Sequence, residues 1–271
     1  MKRVNLLVWA TVWMVLLLTL LACQASPPEN KDTQPPVFSG LHDIEILQGD
    51  GIAYRDGVKA VDERDGEITF TVDAAQVNRD LPGTYTVYYT AKDLAGNETV
   101  EQIMVTVLAR SVSFDALWAE IDPLIEQRGF AAMSCEALCE DLYYYIKGRM
   151  SYASTSDKSD WVAEAYRGIR EGTGDCFTYY AVARAFFERL GISVLTVQRA
   201  PNVLPTTHYW LLINTGTEDE PAWYHWDVCP HPMEYPLTSI LLTDAELLAY
   251  NSKMPDYYTF DPSLYPATPQ K

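Results

Sequence analysis

Cys176 sits in the stretch GTGDCFTYYAVARAFF, residues 172–187, directly after two glycines and an aspartate and at the start of an apolar, helix-like run. Only the thiolate of a cysteine is a good nucleophile, and an ordinary thiol titrates near 8.5. Two surroundings favour the thiolate. One is a helix N-terminus, where partial positive charge and unpaired N–H groups gather. The other is a nearby imidazole. Thr173 or Asp175 supplies the N-cap, which puts Cys176 in the first turn. The Asp175 carboxylate works slightly against the thiolate. Gly172 and Gly174 would let a substrate approach the backbone closely. The competing reading of Cys176 is a small buried residue that opens a core helix.

A nucleophilic cysteine needs a base. The histidines are His42, His208, His225 and His231, and the last three lie close together in sequence. If 208–214 and 222–228 form an antiparallel hairpin around Thr215–Pro221, a symmetric register sets His208 opposite Asp227. It also sets Trp210 opposite His225 and Leu212 opposite Trp223. Facing residues share one side of a sheet with Cβ atoms ~5 Å apart, close enough for a carboxylate–imidazole hydrogen bond. A slip of one residue would put the two on opposite faces. In this arrangement Cys176 is the nucleophile, His208 the base and Asp227 the group that fixes the imidazole. The backbone N–H of Cys176 would stabilise an oxyanion. The chemistry is acyl transfer through a thioester, and it needs no cofactor.

The elements that must hold these residues follow from periodicity. Phe114, Leu117, Ile121, Leu124 and Ile125 recur at helical spacing after Ser113, with Gly129 as a stop. Further helices are expected over Cys135 to about Met150, Trp161 to Ile169 and Cys176 to Leu190. Strand-like runs come next, at 192–199, 208–214 and 222–228. Helices first and strands afterwards argue for an α+β domain. A short helix, Thr243–Tyr250, precedes a Tyr- and Pro-rich tail that packs over the domain or covers the cleft.

GTGDCFTYYAVARAFFERLGI, HYWLLIN and WYHWD in this order resemble the core of the transglutaminase-like superfamily, over about residues 130–230. The resemblance implies a papain-like α+β fold, the triad Cys176–His208–Asp227, and acyl transfer or hydrolysis at amide bonds. Some family members use an upstream aromatic near the oxyanion, which makes Trp161 a candidate. Trp210 and His225 are candidates for the wall of the cleft. Core packing is the alternative for all three. The superfamily also contains inactive scaffolds, so a non-catalytic binding or envelope-assembly protein stays open.

Residues 37–108 have a different period. TYTVYYT and TVEQIMVTVL flank a turn at Ala95-Gly96-Asn97, Ile44–Leu47 alternates, and Glu67–Val72 alternates. Short strands over about 70 residues suggest a sandwich. LPGTYTVYYTAKDLAGNETVEQIMVTV resembles bacterial Ig-like domains. Residues 109–113 read as a linker to a second domain at 114–271. Asp62, Asp65 and Asp93 offer the carboxylates a hard cation wants, although turn chemistry and an acidic surface explain them as well.

The N-terminus sets the compartment. Lys2 and Arg3 precede an apolar run to residue 22 that ends Leu20-Leu21-Ala22-Cys23. This is the pattern of an export signal, and its ending resembles the lipobox of bacterial lipoproteins. The resemblance implies cleavage before Cys23 and lipidation of its thiol, which anchors the chain to a membrane outside the cytoplasm. An uncleaved N-terminal anchor is the alternative. Residues 23–36 are polar and proline-rich and read as a flexible tether. The chain carries a formal net charge of −17, and loss of Lys2 and Arg3 makes it more negative. Nucleic acid is therefore excluded as a natural partner, and proteins or peptides of the cell envelope are the expected substrates. Cys135, Cys139, Cys176 and Cys229 remain besides Cys23, and their pairing is open. A zinc set of Cys135, Cys139, Cys229 and His231 is conceivable, but its spacing is unusual. No metal is assigned to the site.

Overall fold

A computed structural model describes residues 31–153 and 156–270. The expected leader and Cys23 lie outside the described residues. The chain divides into two compact units between Leu108 and Ala109.

The first unit is all β. Strands β1 (Val37–Ser39), β3 (Lys59–Asp62) and β4 (Gly66–Ile68) form one antiparallel sheet. Strands β2 (Ile44–Leu47), β5 (Phe70–Asp73), β6 (Gly83–Lys92) and β7 (Glu98–Leu108) form another, in the order β2-β7-β6-β5, with β2 parallel to β7. The alternating segment 67–72 is not one strand. It breaks at Thr69, and its halves serve different sheets. Val87, Tyr89, Ile103, Val105 and Val107 form the core, with Phe38, Ile44 and Phe70 packed against it. The β6–β7 hairpin pairs Lys92 with Glu98, and Gly96 takes a φ of 93° in its turn. Only glycine adopts such an angle without strain.

The described end of the expected tether is held in place. Asn97 Nδ2 donates to the carbonyls of Asp32 and Gln34, both at 3.3 Å, and Thr99 Oγ1 donates to the Pro36 carbonyl at 2.5 Å. Residues 32–36 are thus fixed to the first unit by backbone acceptors, which composition does not reveal.

The second unit mixes helices with one antiparallel sheet. Helices α1 (Phe114–Arg128), α2 (Cys135–Arg149), α3 (Trp161–Glu171) and α4 (Cys176–Arg189) come first. Ser113, Ser134, Asp160 and Asp175 cap their N-termini with side-chain oxygens. Between α2 and α4, the short parallel pair β8 (Ser151–Tyr152) and β9 (Thr173–Gly174) brings Tyr152 beside the start of α4. Strands β10 (Val194–Gln198), β11 (Tyr209–Asn214), β12 (Trp223–Asp227) and β13 (Ser239–Leu242) then pair in sequence order. Helix α5 (Asp244–Ala249) follows. β13 has no period long enough to show in the sequence and follows the proline-interrupted loop 230–236.

Helix α4 is buried along nearly its whole length, with Arg184, Glu188 and Arg189 as its outward residues, which is the mark of a helix at the centre of a core. Its close neighbours explain the glycines. Gly172 ends α3 with a φ of 69°. At Gly174, a Cβ would lie 2.1 Å from Thr178 Oγ1, and at Gly168 it would lie 2.6 Å from Thr178 Cγ2. A Cβ on Gly172 would lie 3.0 Å from the Arg149 carbonyl, so at Gly172 and Gly174 the room goes to the protein's own atoms and not, as expected, to a substrate. Gly174→Ala should cost about 2 kcal/mol through overpacking. That corresponds to a melting temperature lower by roughly 5 °C, measurable by calorimetry. An unchanged midpoint would show that Thr178 can move aside.

Candidate functional site

Two faces of the β10–β13 sheet serve different cores. Leu211, Ile213 and Trp226 point to the helices. Trp210 and Leu212 point the other way, to Tyr257, Tyr258 and Phe260 of the C-terminal tail. This is the period-2 alternation of a strand. His208, just before β11, and Asp227, at the end of β12, belong by parity to the tail side.

The register differs from the symmetric expectation. Leu212 pairs with His225 and Asn214 with Trp223, a shift of two residues. The Asn214 side chain is the cause: its Oδ1 accepts the N–H of Gly216 at 3.0 Å and of Ala222 at 2.9 Å, closing the loop at that pair. A shift of two keeps every residue on its face. His208 and Asp227 become diagonal neighbours, and the imidazole spans the gap, with His208 Nε2 2.8 Å from Asp227 Oδ2.

Asp227 is a well-supplied carboxylate. Its Oδ2 also accepts the Tyr258 hydroxyl at 2.6 Å, and its Oδ1 accepts the Cys229 N–H at 2.9 Å. Burial pushes its pKa up, but His208, His231 and Tyr258 outweigh burial and hold it below the usual carboxylate range. Burial likewise disfavours charge on His208, yet the Asp227 carboxylate and the Cys176 thiol beside it raise its pKa to about 9. Because Nε2 is given to Asp227, Nδ1 is the ring nitrogen left to Cys176. The Cys176 Sγ also lies 3.5 Å from the Thr207 carbonyl.

Cys176 and His208 line an open cleft of about 380 Å³, with Tyr152, Lys158, Asp175, Arg199, Thr207, Cys229, His231 and Tyr257 around them. That volume lies in the range of small-ligand and peptide side-chain sites. Asp175 is committed to structure. Its Oδ1 caps Phe177 and Thr178, and its Oδ2 accepts Ser156 at 2.6 Å and faces Lys158 Nζ at 3.6 Å. The N–H of Cys176 points to the oxygen of the Tyr152 hydroxyl at the edge of the cleft. Burial raises the Tyr152 pKa to about 12, so the hydroxyl stays protonated and able to donate.

Three expected cleft residues lie elsewhere. Trp161 packs against Phe114 at 5.9 Å and under the Arg184 guanidinium at 4.0 Å. Trp210 stacks on His208 and donates from Nε1 to His225 Nδ1 at 3.0 Å. His225 is fully buried and passes that chain to Asp244 at 2.7 Å. None of the three lines the cleft. Trp210 and His225 are buried because β11 and β12 are covered on both faces, and Trp161 because it opens α3 inside the helical core. Cys135, Cys139, Cys176 and Cys229 are all unpaired. Among the described residues, Cys135, Cys139, Cys229 and His231 do not converge as metal ligands.

Sequence reasoning missed the tail's contribution. Tyr258 reaches Asp227, and His231 Nε2 lies 2.6 Å from the same hydroxyl. Burial lowers the His231 pKa to about 4, so it is neutral there. Arg199 donates to the carbonyls of Tyr257 at 2.8 Å and Thr206 at 3.0 Å, tying the tail and the 200–207 loop to the cleft rim. The tyrosines of DYYTF were visible in the sequence as candidates to cover the cleft, but no spacing rule ties them to a strand carboxylate.

Residues 37–107 match the family model described as bacterial surface protein, Ig-like domain. The first unit is therefore an Ig-like domain of the bacterial surface type. Comparison with curated proteins gives no match. Among solved structures, the chain is similar to CBM51-2 with INT domains from Clostridium perfringens ZmpB, in complex with GlcNAc. Identity is 19%, coverage 28% of this chain and 17% of that one, and the TM-score 0.25. The ZmpB M60 catalytic domain with CBM51-1 and CBM51-2 gives 18% identity, coverage of 29% and 8%, and a TM-score of 0.24. The chain spans less than a fifth of either structure's length, and at such scores the likeness carries no functional inference.

Proposed function

We propose that the second unit is a transglutaminase-like thiol enzyme of the bacterial cell envelope, acting on amide bonds of proteins or peptides. The observation that carries this reading is the buried His208–Asp227 pair at 2.8 Å with the Cys176 thiol beside the same imidazole, at the floor of an open cleft. His208 already holds the thiol proton as an imidazolium paired with the Cys176 thiolate, and the thiolate attacks the amide carbon. The negative oxygen that develops is met by the Cys176 N–H and the Tyr152 hydroxyl. The C–N bond breaks as His208 returns its proton to the leaving amine. Water or a second amine then attacks the thioester and frees Cys176. A surface-type Ig-like domain agrees with a site outside the cytoplasm, and the lipobox-like ending at Cys23 supplies the anchor in this reading.

The test is the rate of Cys176 alkylation against pH, read by mass spectrometry on the chain and on His208→Ala. With the folded His208 pKa raised to about 9, the imidazolium persists from its ordinary range near 6.5 up to about pH 9 and is lost above it. The ion pair should give rapid labelling at pH 5–6. His208→Ala should label only as pH approaches 8.5. Matching profiles for the two proteins would sink the reading. The same shift makes folding stability pH-dependent. The His208 contribution is complete below pH 6.5 and declines as pH rises through about 9.

A further inference from the structure

We infer that the Ig-like unit holds a calcium site built from Asp32, Asp62 and Asp93, a site that does not depend on the catalytic reading of the second unit. One carboxylate oxygen from each of the three lies within 4.8 Å of the others. Oxygens that share one calcium ion, each about 2.4 Å away, can be at most about 4.8 Å apart. The separation therefore fits a common ion.

The second observation concerns Asp62. It ends β3 and is 3% exposed. Its Oδ1 accepts the N–H groups of Arg64 at 2.8 Å and Asp65 at 2.9 Å, but its buried Oδ2 has no hydrogen-bond partner. A buried carboxylate oxygen without a donor is costly. Placing it beside two further carboxylates raises the cost through like-charge repulsion. The positive side chain facing the group is Arg64, whose Nε lies 3.6 Å from Asp32 Oδ2 at the exposed side. A divalent cation satisfies the unpartnered oxygen and, together with Arg64, balances the three negative charges.

The three ligands come from separate segments that the fold holds in place. Asp93 ends the β6 side of the hairpin, and both its oxygens accept from Asn97, through the backbone N–H at 2.7 Å and Nδ2 at 2.8 Å. Asn97 Nδ2 also holds the carbonyls of Asp32 and Gln34, which docks the N-terminal arm against the turn. Asp65, a sequence candidate, is otherwise engaged: its Oδ2 accepts the Leu94 N–H at 2.8 Å. It braces the hairpin turn, and Asp32 takes the ligand position instead. Carboxylates from an arm, a strand end and a hairpin suit the irregular oxygen shell of calcium better than the strict octahedron of magnesium.

The experiment is calorimetric titration of the full purified chain with calcium chloride, after treatment with a chelator, with thermal unfolding alongside. Binding is expected with a Kd on the order of 0.1–1 mM, as for extracellular modules, together with a higher unfolding midpoint for the first unit. Asp62→Asn keeps an oxygen for the Arg64 and Asp65 N–H groups and should weaken binding at least tenfold. Asp32→Ala changes the arm outside every strand, so its folding is not at issue, and it should weaken binding similarly. Three results would each overturn the assignment. They are no heat and no midpoint shift up to 10 mM calcium, magnesium binding as tight as calcium, and Asp32→Ala binding as tightly as the native chain.

Discussion

Cys176→Ala is expected to lower amide turnover by about 10⁶-fold, leaving only the weak rate that the oxyanion donors and binding support. Residues that act as one nucleophilic unit lose nearly everything when the nucleophile is removed, and removing a second member then adds little. His208→Ala should therefore cost almost as much as Cys176→Ala, and the double variant no more than either. The measurement is release of amine or ammonia from a panel of acyl peptides, run with and without a fluorescent amine as acceptor. Amine incorporation and plain hydrolysis share the thioester, so both must vanish together in Cys176→Ala. The substitution removes one sulfur from a first-turn position whose N-cap is Asp175, so the fold should hold. An unchanged melting midpoint checks that. Residual turnover above about 1% of native would show that the thiol is not the nucleophile.

Much of this site was legible because its signals are local. Asp175 before Cys176, followed by an apolar run, marks a capped helix, and the helix begins at Cys176. The order of helices and then strands was likewise readable from the change in period. The hairpin register was not, because it depends on which side chain closes the loop. Asn214 does so and moves the pairing by two residues, a shift that happens to preserve the faces on which the His208–Asp227 pairing rests. The break at Thr69 escaped for a related reason: a strand that changes sheets keeps its alternation. The glycines misled, because a missing Cβ looks the same in sequence whether the room goes to a ligand or to Thr178. Trp161, Trp210 and His225 stayed open between cleft and core because the sequence does not give a side chain's direction, and all three turn into cores. Tyr258 and Arg199 act across long sequence separations, through one hydroxyl and two backbone carbonyls, and such contacts leave no periodic trace.

Asp227→Asn should reduce turnover by about 10³–10⁴-fold while leaving substrate affinity nearly unchanged. The substitution preserves shape, and an amide oxygen can still accept the Cys229 N–H. What it removes is the charge that holds His208 protonated. Burial alone pushes His208 towards the neutral form, and the Asp227 carboxylate is the largest of the influences that raise it to about 9. With a neutral partner, burial should win, and the imidazole should lose its proton below its ordinary range near 6.5. The amide also cannot accept from both His208 Nε2 and the Tyr258 hydroxyl while its Nδ2 faces them. One of those donors is then left unmatched, or the ring takes the wrong tautomer. The effect therefore belongs to kcat, and KM should change less than about threefold. Rapid Cys176 labelling at pH 5–6 should disappear with it, as in His208→Ala. A loss of affinity equal to the loss of turnover would mean that Asp227 shapes the cleft rather than charging the imidazole. Its two shared bonds on Oδ2, at 2.8 Å to His208 and 2.6 Å to Tyr258, argue for the charge. A merely structural residue buried among aromatics has no need of a carboxylate, and Asp227 is held ionised there at the full cost of its desolvation.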